Sequence, residues 1–113
     1  MSEELRNIFD KHFRFLTSDY GYTVDSSMYD ERAFGNFGIE LSKGQRRIKI
    51  TSDRSQIFVD ILDAKLGWVD KDEILEKYGI LRTRFNTTNG LWDGYEIGNV
   101  ANDLKQNRNI LDI

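Results

Sequence analysis

Between Asn36 and Leu62 the apolar residues fall on alternate positions: Phe37, Ile39 and Leu41, then Ile48 and Ile50, then Ile57, Val59 and Ile61. Strand side chains change face at every residue, so this pattern calls for a sheet with one face on a core. Lys43-Gly44 and Asp53-Arg54-Ser55 supply turns between the three segments. Connections this short suit antiparallel neighbours, because a parallel crossover takes about a dozen residues or more.

Segments of helical period flank the alternating stretch. Leu5, Ile8, Phe9, His12, Phe13 and Leu16 recur at spacings of three and four, which predicts a helix from about Glu3 to Thr17. Ser2 caps it, Glu3 and Glu4 sit at the positive end of its dipole, and Gly21 lies just beyond its end. Tyr20, Tyr22 and Val24 are in phase for a first strand, continued by Met28 to Arg32 after a bend at Asp25-Ser26-Ser27. Ala33 to Gly38 then turns or bulges into the next strand. After Leu62, the series Val69, Asp70, Glu73 and Ile74 reads as a helix start with Asp70 as cap, and Gly79 ends that short helix. Asn89-Gly90 is a tight-turn signal and Gly94 a further break. Ile97, Val100, Ala101, Leu104, Arg108 and Leu111 predict a closing helix from about Tyr95 to Asn109. The expected fold is α+β: a mainly antiparallel sheet of about four strands packed with N-terminal and C-terminal helices, in one globular domain over residues 1–113.

Composition narrows the function classes. With 113 residues and 39% apolar content, the chain can bury a core without a metal or disulfide staple. It has no cysteine, which removes thiol catalysis and thiolate metal sites, and no proline, which removes PxxP segments. The sequence begins Met1-Ser2-Glu3-Glu4, acidic where a secretory signal is basic, and no apolar run approaches roughly 18 residues. A cytoplasmic protein with no membrane partner is expected. The formal charge of −3 argues against a non-specific nucleic-acid binder and would suit a basic partner.

Single residues yield little chemistry. His12 is the only histidine, and its place on an apolar helix stripe reads as a packed, hydrogen-bonded side chain. Asp70-x-Asp72 imitates the start of a calcium loop, but Ile74 takes the third ligand position and the glycine of the turn is missing. Gly35, Gly38, Gly90 and Gly94 match no phosphate loop. Asn86-Thr87-Thr88 matches a glycosylation acceptor in a chain without an export signal. No catalytic residue, cofactor site or metal ligand set emerges, and a non-enzymatic chain is expected.

Two groups of residues remain as candidates for binding. Lys43, Arg46, Arg47 and Lys49, with Arg54 nearby, form a basic hairpin, in which Arg47 and Lys49 point away from the Ile48 and Ile50 face. Asp60, Asp63, Asp70 and Asp72 gather with Trp68 at an acidic, aromatic end. Phe58, Asp60 and Leu62 face opposite to Ile57, Val59 and Ile61. That face therefore needs either a covering helix or a partner. Trp92 and Tyr95 also lie near turns, where burial against the sheet serves as well as binding.

His12-Phe13-Arg14-Phe15-Leu16 runs into Tyr20-Gly21-Tyr22, followed by Phe34-Gly35-Asn36 and a meander ending Asp53-Arg54-Ser55-Gln56-Ile57-Phe58-Val59-Asp60-Ile61. This ensemble resembles small bacterial proteins, some of which look like immunity proteins of contact-dependent or polymorphic toxin systems. The resemblance covers about the first two-thirds of the chain and weakens after Leu66. It implies a cytoplasmic protein that binds and blocks one cognate protein toxin, and it names no catalytic residue. The expected contact residues are Arg47, Lys49 and Arg54 on the basic side and Asp60, Asp63, Trp68, Asp70 and Asp72 on the acidic side. The alternative is a regulatory or nucleic-acid-binding module that uses the basic hairpin.

Overall fold

The alternating stretch folds as its period requires. In the computed structural model, which describes residues 1–32, 35–63, 67–71, 73, 87–88, 91–92 and 96–107, five strands form one antiparallel sheet in the order of the chain. They are β1 (Thr23–Asp30), β2 (Asn36–Lys43), β3 (Arg46–Asp53), β4 (Gln56–Asp63) and β5 (Gly67–Asp70). Ile39 opposes Ile50, which opposes Val59, and Leu41 opposes Ile48, which opposes Ile61. These rows put Phe37, Ile39, Leu41, Ile48, Ile50, Ile57, Val59 and Ile61 on one face, and all are buried.

Helices α1 (Glu3–His12), α2 (Arg14–Ser18) and α3 (Ile97–Gln106) cover that face. Leu5, Phe9, Phe13, Leu16, Val100 and Leu104 enter one core with the strand residues. Ser2 caps α1 as expected, its Oγ accepting from the Leu5 N–H at 3.2 Å. At the start of α3, Glu96 takes the capping role, its two carboxylate oxygens accepting from the Gly98 and Asn99 N–H groups at 3.0 Å each. The Tyr20 hydroxyl donates to the Lys105 carbonyl at 3.2 Å and ties the entry of β1 to α3. The Tyr20 ring meets Phe15 edge-on at 5.3 Å. None of the described helices is long and apolar enough to cross a membrane.

The structure departs from expectation in several places. The first helix is not continuous to Thr17 but breaks at Phe13, which takes φ −122° and gives its N–H to Phe9 O. A straight helix could not bury Phe13, Phe15 and Leu16 together, since Phe15 lies far round from the stripe of Leu5, Phe9 and Phe13. The break turns all three into the core. The first strand begins at Thr23 rather than Tyr20, with a register shift between Val24 and Ser26 where the bend was expected.

The sheet has five strands, not about four, because Gly67–Asp70, leading into the expected helix start, is itself a strand. Val69 sits opposite Ile61 and Trp68 opposite Leu62. Val69 is buried beside Ile61, and helical backbone begins at Lys71, with Glu73 also helical, so Asp70 ends the strand and stands at the position expected of the cap. The remainder of that expected helix, Ala33-Phe34, Gly94 and Tyr95 lie outside the described residues. So does the Asn89-Gly90 step, although the strands on either side, β6 (Thr87–Thr88) and β7 (Leu91–Trp92), pair antiparallel. The closing helix is shorter than expected, with Asn107 as its C-cap.

The turn between β3 and β4 places two ordinary residues in the left-handed region, Arg54 at φ 50° and Ser55 at φ 69°. A two-residue hairpin with positive φ at both positions favours Asn-Gly. Here the turn is held instead by the Arg54 N–H, which donates to Asn36 Oδ1 at 2.9 Å. Ser55→Gly is expected to stabilise the protein by about 1 kcal/mol, read as a higher thermal unfolding midpoint.

Candidate functional site

The second face of the sheet carries the polar half of each strand. Registers assemble it into rows. Ser26, Glu40, Lys49, Asp60 and Asp70 oppose one another in turn across all five strands. Met28, Gly38, Thr51 and Phe58 make the adjacent row. Leu62 opposes Trp68, and Arg47 lies one register step beyond the Ile48–Ile61 pair, across from Leu62. No described helix packs on this face.

The sequence-predicted residues therefore separate clearly. Arg47, Lys49, Asp60, Trp68 and Asp70 share one face, so the basic hairpin and the acidic, aromatic end are parts of one surface. Arg54 does not join them. It is exposed in the β3–β4 turn, about 20 Å along the strand direction from Leu62 and Trp68. Asp63 ends β4 opposite Gly67, with its side chain outside the description, and Asp72 is not among the described residues.

Trp68, on the edge strand β5, is 46% exposed, a large apolar side chain left open to water. Lys49 reaches across β4 to it, with Nζ 5.9 Å from the ring centroid, within cation–π range. Lys49 makes no ion pair with either cross-strand neighbour, Glu40 or Asp60, among the described residues. Asp60 and Asp70 stand directly opposite each other, an arrangement that costs the sheet some stability. Among the described residues no three potential ligands come together as a metal group.

Sequence reasoning missed the neighbouring row. Met28, 59% exposed, stands beside Gly38 in the middle of β2. Gly38 has no left-handed φ, and a Cβ built on it would meet nothing within 4 Å. A mid-strand glycine costs roughly 0.5–1 kcal/mol relative to alanine, and nothing in the fold fills the space it leaves. A hollow of about 550 Å³ opens there, lined by Met28, Gly38, Glu40, Lys49, Thr51 and Asp53 among others. The sequence signal for it was a glycine inside an alternating strand, read only as a turn or bulge.

Two other polar features belong to the framework. Lys71 and Asp103 form a buried ion pair, Nζ to Oδ2 at 3.4 Å, linking the chain after β5 to α3. His12 lies half-buried near Phe13, with ring centroids 6.3 Å apart, and makes no hydrogen bond among the described residues, contrary to the expectation of a bonded ring. Desolvation lowers its pKa below the ordinary 6.5, Lys11 and Lys105 lower it further, and Glu96 partly opposes them. The fold thus prefers the neutral ring. The associated stability is complete above pH 6.5 and falls as the pH drops through the lowered folded-state value. His12→Gln is expected to flatten the decline in unfolding midpoint on acidification from that window; an unchanged decline would remove His12 from the account.

Compared with protein-family models, curated proteins and solved structures, the chain matches none, and the functional reading rests on the sheet face itself.

Proposed function

We propose that this protein acts by binding another protein through the outer face of its sheet, and that the partner is a cognate bacterial toxin which it blocks. The observation that carries the reading is Trp68: a half-exposed indole on the edge strand, with Lys49 over its ring and Leu62, Arg47, Asp60 and Asp70 around it. Aromatic anchors inside a charged rim dominate protein interfaces, the anchor supplying affinity and the rim supplying encounter rate and choice of partner. Resemblance to immunity proteins supplies the toxin. The interleaving of Lys49 with Glu40, Asp60 and Asp70 disfavours the nucleic-acid alternative, whose surface would be basic throughout.

Co-expression with the product of the adjacent upstream gene tests the reading. A complex is expected, together with relief of that product's toxicity. Trp68→Ala should then weaken the complex by about 2 kcal/mol or more, roughly 30-fold, chiefly through faster dissociation. Arg47→Ala should act mainly on the association rate and lose its effect in high salt. No complex with that neighbour, alongside salt-sensitive binding to DNA or RNA lost in Arg47→Ala, would replace this function with the nucleic-acid one.

A further inference from the structure

The geometry points to the hollow over Gly38 as a docking pocket for an apolar side chain borne on a basic segment of a protein partner, an inference that rests on protein binding at this face. Three observations meet there. The first is the glycine itself. Its backbone is ordinary extended strand, any residue would adopt it, and a Cβ would meet no atom within 4 Å. No close approach inside the fold requires glycine at this position. A contact from outside does, since a side chain here would occupy the space a partner group enters.

The second is the wall. Met28, next to Gly38 in the cross-strand row, exposes 59% of its surface. A flexible, polarisable thioether at the side of an open hollow adapts to aliphatic and aromatic groups alike. Thr51, opposite Gly38 on the other side, leaves the floor shallow, and Phe58 continues the row.

The third is charge. Of the charged residues lining the hollow, Glu40 stands two residues from Gly38 on β2, and Asp53 stands two from Thr51 on β3. Both are exposed, and neither makes an ion pair among the described residues. Lys49, the one cation of the lining, sits against Trp68 and forms no ion pair with Glu40. The hollow thus has an apolar floor and a carboxylate toward each end along the strands. It complements a leucine, methionine or aromatic residue with lysine or arginine close on either side.

Selection of a displayed random-peptide library on the purified protein tests this. Peptides with an apolar residue flanked by Lys or Arg are expected to be enriched, and to bind more weakly as salt is raised. Gly38→Val should fold with an unfolding midpoint no lower than the parent, yet bind the selected peptides at least tenfold more weakly. Glu40→Lys combined with Asp53→Lys, both at exposed positions, should weaken them similarly and abolish the salt dependence. Absence of enrichment, enrichment of acidic peptides, or equal binding by Gly38→Val would each overturn the pocket. None of these outcomes bears on whether the neighbouring gene product binds through Trp68, so the two assignments fail separately.

Discussion

Asp103→Ala is expected to destabilise the protein by about 3–5 kcal/mol, a large part of the roughly 5–15 kcal/mol that holds a domain of this size together. Lys71 is 2% exposed, and its Nζ donates to Asp103 Oδ2, in the second half of α3, at 3.4 Å. Removing the carboxylate takes a counter-charge from a buried ammonium, and loss of a partner inside the protein is far costlier than loss of a surface pair. The sign reverses for the pair as a whole. Lys71→Met with Asp103→Leu is expected to be neutral or stabilising, because both desolvation penalties disappear together. Urea unfolding of Lys71→Met, Asp103→Leu and the double variant closes the cycle. Near-additive losses in the double variant would show that the two side chains are not coupled.

Phe13→Ala is expected to cost a similar amount, about 3–5 kcal/mol, for a different reason. Phe13 is fully buried and stands at the junction of α1 and α2, where its backbone has already left the helix. Truncation empties a space bounded by both helices and the sheet. Its φ of −122° gives the chain no helical alternative that keeps Phe15 and Leu16 buried. Trp68→Ala provides the contrast. With nearly half its surface in water, loss of that indole should leave the urea midpoint almost unchanged while weakening the proposed complex roughly 30-fold.

How far the fold could be read from sequence depended on whether the deciding contacts were local. The inward faces of β2, β3 and β4 followed from alternation alone, because a slip of one residue would expose Ile39, Ile50 and Val59 together. Caps were legible where chemistry is local, as at Ser2. The fifth strand was not, since Val69 and Asp70 read in sequence as the approach to a helix, and only pairing with Ile61 and Asp60 makes that approach a strand. The break at Phe13 involves no glycine or proline and is imposed by burial of Phe15. At the candidate site, the outward direction of Arg47, Lys49 and Asp60 could be read from phase. Their union with Trp68 needed β5, and the emptiness over Gly38 is a property of three strands that no single segment encodes.

Because each strand of the sheet pairs with the next one in the chain, its construction can follow synthesis. Every new hairpin closes over only a few residues, so loop-closure entropy stays small and the sheet can form early and fast. The exception is α3, which comes from the far end of the chain yet rests on β4 and α1. Until Val100 and Leu104 arrive, a nascent chain holds a formed meander with part of its apolar face still open to water. That interval is when it is most exposed to aggregation, and arrival of the last helix ends it.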